Sequence, residues 1–174
     1  MSTAKAPAKF RFAAMAVDMP VFGFIDNTLH GLVDIVDRPP HYVDVPGFLG
    51  GMVTATENAE QAARRILDEK GSIRDVYLEQ LYTFSDVDRD KRNRVVSVAH
   101  LGLVRPLVAA SYQHESAQFV PVSELQHLAY DHDEMLAVAL TRLRAKLTYS
   151  NIAQFLLPRH FTLTELQHVY ETIL

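Results

Sequence analysis

The sequence predicts an α/β fold in which a mixed central sheet is covered by helices on both faces. Candidate strands and helices alternate along the chain, which is typical of a layered α/β domain. At 174 residues, with 48% apolar and 22% charged residues, the chain has the size and composition of about one globular domain. No stretch predicts a transmembrane helix, and the start of the chain disfavours a secretory signal. We therefore expect a soluble, cytoplasmic protein with no membrane contact.

Composition excludes several kinds of chemistry. The chain has no cysteine, so a disulfide framework, a thiolate zinc site and a cysteine nucleophile are all excluded. The formal net charge of −4 argues against a uniformly basic nucleic-acid-binding surface. A local basic face remains compatible with this charge.

The first part of the chain predicts strands joined by turns. Residues 1–10 are small and polar and predict a flexible tail. Residues 10–24 predict an edge strand, or two short strands broken at Pro20, because proline cannot donate to a sheet. Asp26-Asn27 is a turn signal, and residues 29–37 predict the next strand.

A loop and then the clearest helix of the first half follow. The Pro39-Pro40 pair predicts an extended loop as far as Gly50, because a residue that precedes proline avoids the helical region. Apolar residues at helical spacing predict a helix over residues 58–70. Gly71 is expected to end this helix in a left-handed conformation.

The second half continues the alternation. Strands are predicted at residues 76–84, 94–104 and 118–120. Short helices are predicted at residues 121–125 and 150–157. A longer helix is predicted at residues 132–147, with Asp131 as its N-cap. The last predicted helix begins at the capping box of Thr162 and Glu165 and continues to Leu174.

The segment from Gly51 to Ile73 carries the motif with the strongest chemical meaning. Its spacing resembles the Nudix box, G-x5-E-x7-R-E-U-x-E-E-x-G-U, in which U is a bulky aliphatic residue. Six of the nine specified positions match, namely Gly51, Glu57, Arg65, Leu67, Glu69 and Ile73. Three positions differ, namely Ile66, Lys70 and Ser72.

The three differences change what the box can do. In an intact box, carboxylates at positions i, i+3 and i+4 share a helix face and hold divalent cations, which bind a diphosphate and activate water. Here this trio is Ile66, Glu69 and Lys70, so only one carboxylate remains. We expect weak Mg²⁺ binding at Glu69 or none, and we expect the Lys70 ammonium to neutralise a bound diphosphate instead.

Segments after the box resemble one branch of the family. Residues 78–104 are similar to the strand-loop-strand that follows the box there, with the branch's RDPR-x-R signature on Arg89, Asp90, Lys91, Arg92 and Arg94. Residues 128–147 and 161–174 are similar to the closing helix and linker of Nudix-related transcriptional regulators of NAD metabolism. The resemblance covers about residues 12–174.

The resemblance implies both a domain organisation and a function. It implies a Nudix α/β/α sandwich over residues 11–149, followed at 150–174 by a linker and the first helix of an incomplete winged helix-turn-helix. In that family the Nudix domain senses ADP-ribose or a related NAD-derived nucleotide, and the winged domain binds operator DNA. We therefore expect a dimeric, catalytically inactive sensor, with DNA as a partner only if a winged helix follows residue 174.

The same resemblance, together with the charges, supplies the candidate site. The expected ligand-binding residues are Gly50, Gly51, Arg65, Arg38, Arg92 and Lys70. Glu57 and Glu69 hold the degenerate catalytic positions. The alternative function is a low-activity, magnesium-dependent ADP-ribose pyrophosphatase that uses Glu57, Glu69 and carboxylates from outside the box. A third possibility is an interaction module whose pocket has decayed.

Two further groups of charged residues have more than one interpretation. Arg89, Arg92 and Arg94 either grip phosphates or form a solvated loop whose charges pair with one another. A second cluster, Arg142, Arg144, Lys146 and Arg159, either helps to hold DNA phosphates or forms a solvated helix face. Residues 142 and 144 cannot share one helix face.

Overall fold

A computed structural model describes residues 12–174, so the predicted tail lies outside the described residues. Within this range the chain forms eight strands: β1 (Ala14–Met19), β2 (Val21–Ile25), β3 (Thr28–Arg38), β4 (Tyr42–Gly47), β5 (Leu49–Met52), β6 (Tyr77–Phe84), β7 (Val95–Val104) and β8 (Gln118–Pro121). The α-helices of the same range are α1 (Ala59–Gly71), α2 (Pro106–Ala110), α3 (His132–Tyr149) and α4 (Leu163–Ile173). Short 3₁₀ helices cover Val122–Glu124 and Ile152–Leu156. None of the helices described is long and apolar enough to cross a membrane.

The sheet is mixed and is organised around β7. The first half of β7 pairs in parallel with β1, and its second half pairs in parallel with β2. Pro20 separates β1 from β2, and the antiparallel partner changes there from β5 to β3, which confirms the predicted break between two short strands. On its other edge β7 pairs antiparallel with β6. Strand β3 pairs antiparallel with β2, β4 and β8. Strand β1 pairs antiparallel with β5.

Helices cover both faces of this sheet. Alternate residues of β7 belong to two different apolar clusters, so the clusters lie on opposite faces. One cluster contains Leu101 and Leu103 and is closed by α3, the 3₁₀ helix at Ile152–Leu156 and α4. The other contains Val104 and is closed by α1 and α2. The predicted α/β/α sandwich with a mixed sheet is confirmed.

Helix α1 begins as its sequence predicts but ends differently. Asn58 caps its first turn, because its side chain accepts from the Gln61 amide at 2.9 Å and the Gln61 side chain accepts from the Asn58 amide at 2.9 Å. The prediction of a left-handed Gly71 is wrong, since Ser72 takes that conformation with φ 51°. Gly71 is instead required by packing, because a Cβ there would lie 2.7 Å from the Cδ2 of Leu49.

The predicted loop between Pro39 and Gly50 is also wrong, because this segment forms β4 and the first half of β5. Strand β4 pairs with β3, and β5 pairs with β1. The proline and glycine signals are outweighed by three buried side chains, Tyr42, Phe48 and Leu49, which anchor the segment to the rest of the fold. This correction matters for function, because β5 carries Gly50 and Gly51.

The remaining predicted elements are found within a few residues of their expected bounds. The segment predicted as a helix at residues 150–157 is a 3₁₀ helix, and the capping box of Thr162 and Glu165 at the start of α4 is confirmed. Helix α3 begins at His132 with Asp131 at its N-cap position, as predicted, but the Asp131 side chain makes no capping hydrogen bond. The Asp131 carboxylate pairs with Arg89 instead.

Three cations of α3 hold neighbouring elements in place. Arg142 donates to the carbonyl oxygen of Leu81 in β6, and Lys146 forms an ion pair with Glu79 of the same strand. Arg144 donates from Nε to the carbonyl oxygen of Ile173 at 2.8 Å, so it holds the C-terminal end of α4 against α3. These contacts favour a structural role for Arg142, Arg144 and Lys146 over contact with DNA. They also confirm that residues 142 and 144 point to different elements.

Candidate functional site

A cleft of about 300 Å³ lies where β1, β3 and β5 meet the last turn of α1. This volume is at the lower end of the usual range for ligand sites, roughly 300–1,000 Å³. Four cations and three carboxylates line the cleft, namely Arg38, Lys70, Arg89 and Arg92 with Asp18, Asp34 and Asp90. Gly50, Gly51 and Met52 of β5 and Ile35 and Val36 of β3 complete its walls.

The floor of the cleft is built on the buried carboxylate of Asp18. The Ser97 hydroxyl donates to Asp18 Oδ2 at 2.6 Å, and Arg89 donates to the same oxygen at 3.2 Å. A Cβ on Gly50 would lie only 1.9 Å from Asp18 Oδ1, so a glycine is needed directly above this carboxylate. The Nε2 atom of His132 lies 3.5 Å from Asp18 Oδ1. Burial raises the pKa of the Asp18 carboxyl, but His132, Ser97 and Arg89 together lower it to about 2.

Arg89 is a structural bridge rather than an exposed anion ligand. Its side chain is 3% exposed and makes two hydrogen bonds to Asp131, at 2.7 and 2.8 Å, in addition to its contact with Asp18. Arg89 therefore ties β1 to the residue that precedes α3. Because both carboxylates already engage its guanidinium, the predicted phosphate-gripping role is not favoured for this arginine.

The rim of the cleft carries a second arginine in a more accessible position. Arg92 is about one-third exposed and makes a bidentate pair with Asp90, at 2.8 and 3.0 Å. Its guanidinium also lies 5.5 Å from the ring centre of Tyr130 and donates to the Tyr130 hydroxyl at 3.2 Å. Burial raises the pKa of Asp90, but the hydrogen bonds and charge of Arg92 outweigh it, and the pKa is lowered. Arg94, in contrast, donates only to carbonyl oxygens of Asp86 and Val95.

The two glutamates in the candidate catalytic positions do not line the cleft. Arg65 donates to both oxygens of Glu57, at 2.6 and 2.9 Å, and to Glu69 at 3.1 Å. It also donates to the carbonyl oxygen of Met52. The hydrogen bonds from Arg65 and from the Thr54 amide lower the pKa of Glu57 to about 2. This network fixes the loop before α1 to the helix, and none of its three charged side chains lines the cleft.

The side chains at positions 66, 69 and 70 contact three different parts of the fold. Ile66 is 1% exposed and packs in the apolar cluster beneath Gly51. Glu69 turns to Arg65, and its side chain is 61% exposed. Lys70 alone reaches the cleft, where its Nζ donates to the carbonyl oxygen of Gly50 at 2.7 Å.

The structure therefore brings together most of the predicted ligand-binding residues. Gly50, Gly51, Arg38, Arg92 and Lys70 line one cleft, whereas Arg65 lies outside it. The cleft is also lined by side chains that the sequence did not indicate as site residues, among them Asp18, Asp34 and Tyr130. One signal pointed to Asp18, since a lone carboxylate inside an apolar strand needs a buried partner.

Comparisons with known proteins place the chain in a family. Residues 21–139 match the model of the NUDIX domain. The chain is 34% identical over 168 residues to the ADPR responsive transcriptional repressor NtrR of Acinetobacter baylyi, and the match covers 92% of this chain and 66% of that protein. The chain thus spans just under two thirds of this relative's length.

Solved structures agree with this match. The fold is similar to Shewanella oneidensis NrtR complexed with a 27mer DNA, with a TM-score of 0.81, 31% identity, and coverage of 92% of this chain and 75% of that one. It is also similar to the NUDIX domain of the same protein complexed with ADP ribose, with a TM-score of 0.67, 27% identity, and coverage of 80% and 94%. The resemblance drawn from the box and the segments after it is confirmed, and the chain belongs to the Nudix family.

Proposed function

We propose that this chain is the nucleotide-sensing part of a transcriptional regulator and that it binds ADP-ribose or a related NAD-derived nucleotide without hydrolysing it. The observation that carries the proposal is the charge arrangement of the cleft. Lys70 and Arg38 line it, and neither has a carboxylate within salt-bridge distance among residues 12–174. Both donate only to carbonyl oxygens, of Gly50 and Asp37 respectively.

A diphosphate is the ligand chemistry that suits this arrangement. Its oxygens accept hydrogen bonds from ammonium and guanidinium groups, and such charge-assisted bonds are the stronger ones. Arg92 adds a third donor at the rim, already oriented by Asp90 and Tyr130. The apolar side chains of Ile35 and Met52 are each about half exposed at the cleft, and they supply surface for the uncharged parts of a nucleotide.

The absence of hydrolysis follows from the positions of Glu57 and Glu69. A pyrophosphatase would need carboxylates directed at the bound diphosphate and its metal ions. Both glutamates are engaged by Arg65 outside the cleft, so the geometry does not favour the alternative of a low-activity, magnesium-dependent ADP-ribose pyrophosphatase.

The relatives extend the proposal beyond the single domain. One relative is an ADPR responsive transcriptional repressor, and another was solved in complex with a 27mer DNA. We propose that this chain forms a homodimer in the cytoplasm, within a regulator of NAD metabolism, and that α4 is the first helix of a winged DNA-binding part. Ligand would then favour one arrangement of the dimer, and so of the DNA-binding parts.

Calorimetric titration with ADP-ribose tests the proposed ligand. We expect saturable binding with one site per chain, and weaker binding in Arg38→Met. Arg159→Met serves as the matched control, because Arg159 is exposed and does not line the cleft. Absence of binding to the wild-type protein, or equal binding by Arg38→Met, would contradict the proposal.

A product assay separates the sensor from the enzyme. The protein is incubated with ADP-ribose and Mg²⁺, and AMP is measured over time. We expect no AMP above the rate without protein. Release of AMP that disappears in Glu69→Gln would establish the pyrophosphatase instead.

A further inference from the structure

Lys70 is placed where it can act on a ligand. It lies in the last turn of α1 and is exposed, yet its ammonium is fixed by the 2.7 Å hydrogen bond to the carbonyl oxygen of Gly50. An ammonium has three N–H donors. One donor is used by Gly50, which leaves two for an anion in the cleft.

The glycine at position 51 helps to shape this corner. A Cβ on Gly51 would lie 2.8 Å from the Cδ1 of Ile66 and 3.5 Å from the Nζ of Lys70. A larger residue would therefore displace the Ile66 side chain and would lie in van der Waals contact with the Lys70 ammonium. Gly51 thus lets β5 approach the end of α1 closely enough for the lysine to reach the backbone of Gly50.

The divalent metal that a Nudix box implies does not fit the residues present. Mg²⁺ requires oxygen ligands in near-octahedral geometry. Ile66 offers only carbon atoms in the core, and Glu69 is turned to Arg65. The carbonyl oxygen of Gly50 already accepts from Lys70, whose positive charge repels a second cation. Within residues 12–174 there is also no cluster of three or more acidic or histidine residues that would hold a metal.

We infer that the Lys70 ammonium is a built-in cation that takes the place of the metal, so that this protein binds the diphosphate of its ligand directly and independently of Mg²⁺. The inference rests on the proposed function, since it concerns how the same cleft holds its nucleotide. The Lys70 side chain is then a specificity residue, because it selects ligands with a diphosphate at the position of Gly50 and Gly51.

Titration of ADP-ribose into the whole chain, once with EDTA and once with Mg²⁺, tests the inference without any substitution. The wild-type affinity is expected to be the same in the two buffers. In Lys70→Met the affinity is expected to fall by about 10- to 100-fold in both buffers, which is the usual value of a hydrogen bond to a charged group. Arg64→Met is the matched control on the same helix, because Arg64 pairs with Glu60 and does not line the cleft.

The outcomes separate this inference from the proposed function. Wild-type binding that requires Mg²⁺, or Lys70→Met that binds as tightly as the wild type, would overturn the role of the lysine and leave the sensor function standing. Absence of wild-type binding in both buffers would overturn the proposed function itself, and the inference with it. Circular dichroism tests whether Lys70→Met is folded. If the variant is not folded, the wild-type titrations with EDTA and with Mg²⁺ still test whether binding is independent of Mg²⁺.

Discussion

Replacing Asp18 by asparagine tests the buried network beneath the cleft. The substitution keeps the shape of the side chain and removes the charge that faces Arg89 and His132. The pKa of Asp18 falls from an ordinary value of 3.8 to about 2 in the fold. Since a tenfold change in proton affinity is worth roughly 1.4 kcal/mol, the ionised carboxylate contributes about 2 kcal/mol to stability at neutral pH.

The sign of this contribution determines its pH dependence. A carboxyl whose pKa is lowered by folding stabilises the protein above its unfolded pKa, and the stabilisation is lost as the pH falls through the folded pKa. The contribution of Asp18 is therefore complete above about pH 4 and disappears near pH 2. At pH 3 about half of it remains.

Urea unfolding of the wild type and Asp18→Asn at pH 7 and pH 3 measures this effect. We expect the variant to be less stable by about 2 kcal/mol at pH 7 and by about half of that at pH 3. Asp75→Asn, at an exposed aspartate, is the control and should change little at either pH. A difference that is the same at both pH values, or that is close to zero at pH 7, would refute the reasoning.

Three further predictions concern the surroundings of the cleft and the end of the chain. Gly50→Ala places a Cβ 1.9 Å from a buried carboxylate oxygen, so urea unfolding should show a loss of about 1–3 kcal/mol; unchanged stability would contradict the close approach. In Arg65→Met the carboxyl of Glu57 loses its partner, and NMR titration should show its pKa rising from about 2 toward 4.5. Arg144→Met removes a hydrogen bond to the last turn of α4, so the amides of this helix should exchange with solvent faster, by a factor of roughly 5 for a bond worth about 1 kcal/mol. Arg159→Met should leave that exchange unchanged.

The sequence predicted the elements of the fold well because their signals are local. The capping box of α4, the proline break between β1 and β2 and the apolar spacing of α1 each lie within a few residues of the element that they define. The segment of β4 and β5 was missed for the opposite reason. Its strands are held by pairing with β3 and β1, far away in the sequence, whereas its own prolines and glycines are typical of a loop.

The candidate site was only partly predictable. Lys70 and the two glycines follow from the spacing of the box, and the structure places them together in the cleft. The buried network could not be predicted, because Asp18, Arg89 and Asp131 are separated by 71 and 42 residues and meet only in the folded chain. Local reasoning assigned Asp131 to a helix cap, although a bidentate arginine is a stronger partner than a backbone amide.

The most direct measurement of the central claim is a crystal structure of the protein with ADP-ribose, grown in the presence of Mg²⁺. We predict that the diphosphate lies beside Gly50 and Gly51 with its oxygens within hydrogen-bond distance of the Lys70 ammonium, intact and without a bridging metal ion. A diphosphate bound through Mg²⁺ to Glu57 or Glu69, or a nucleotide bound outside the cleft, would contradict the account.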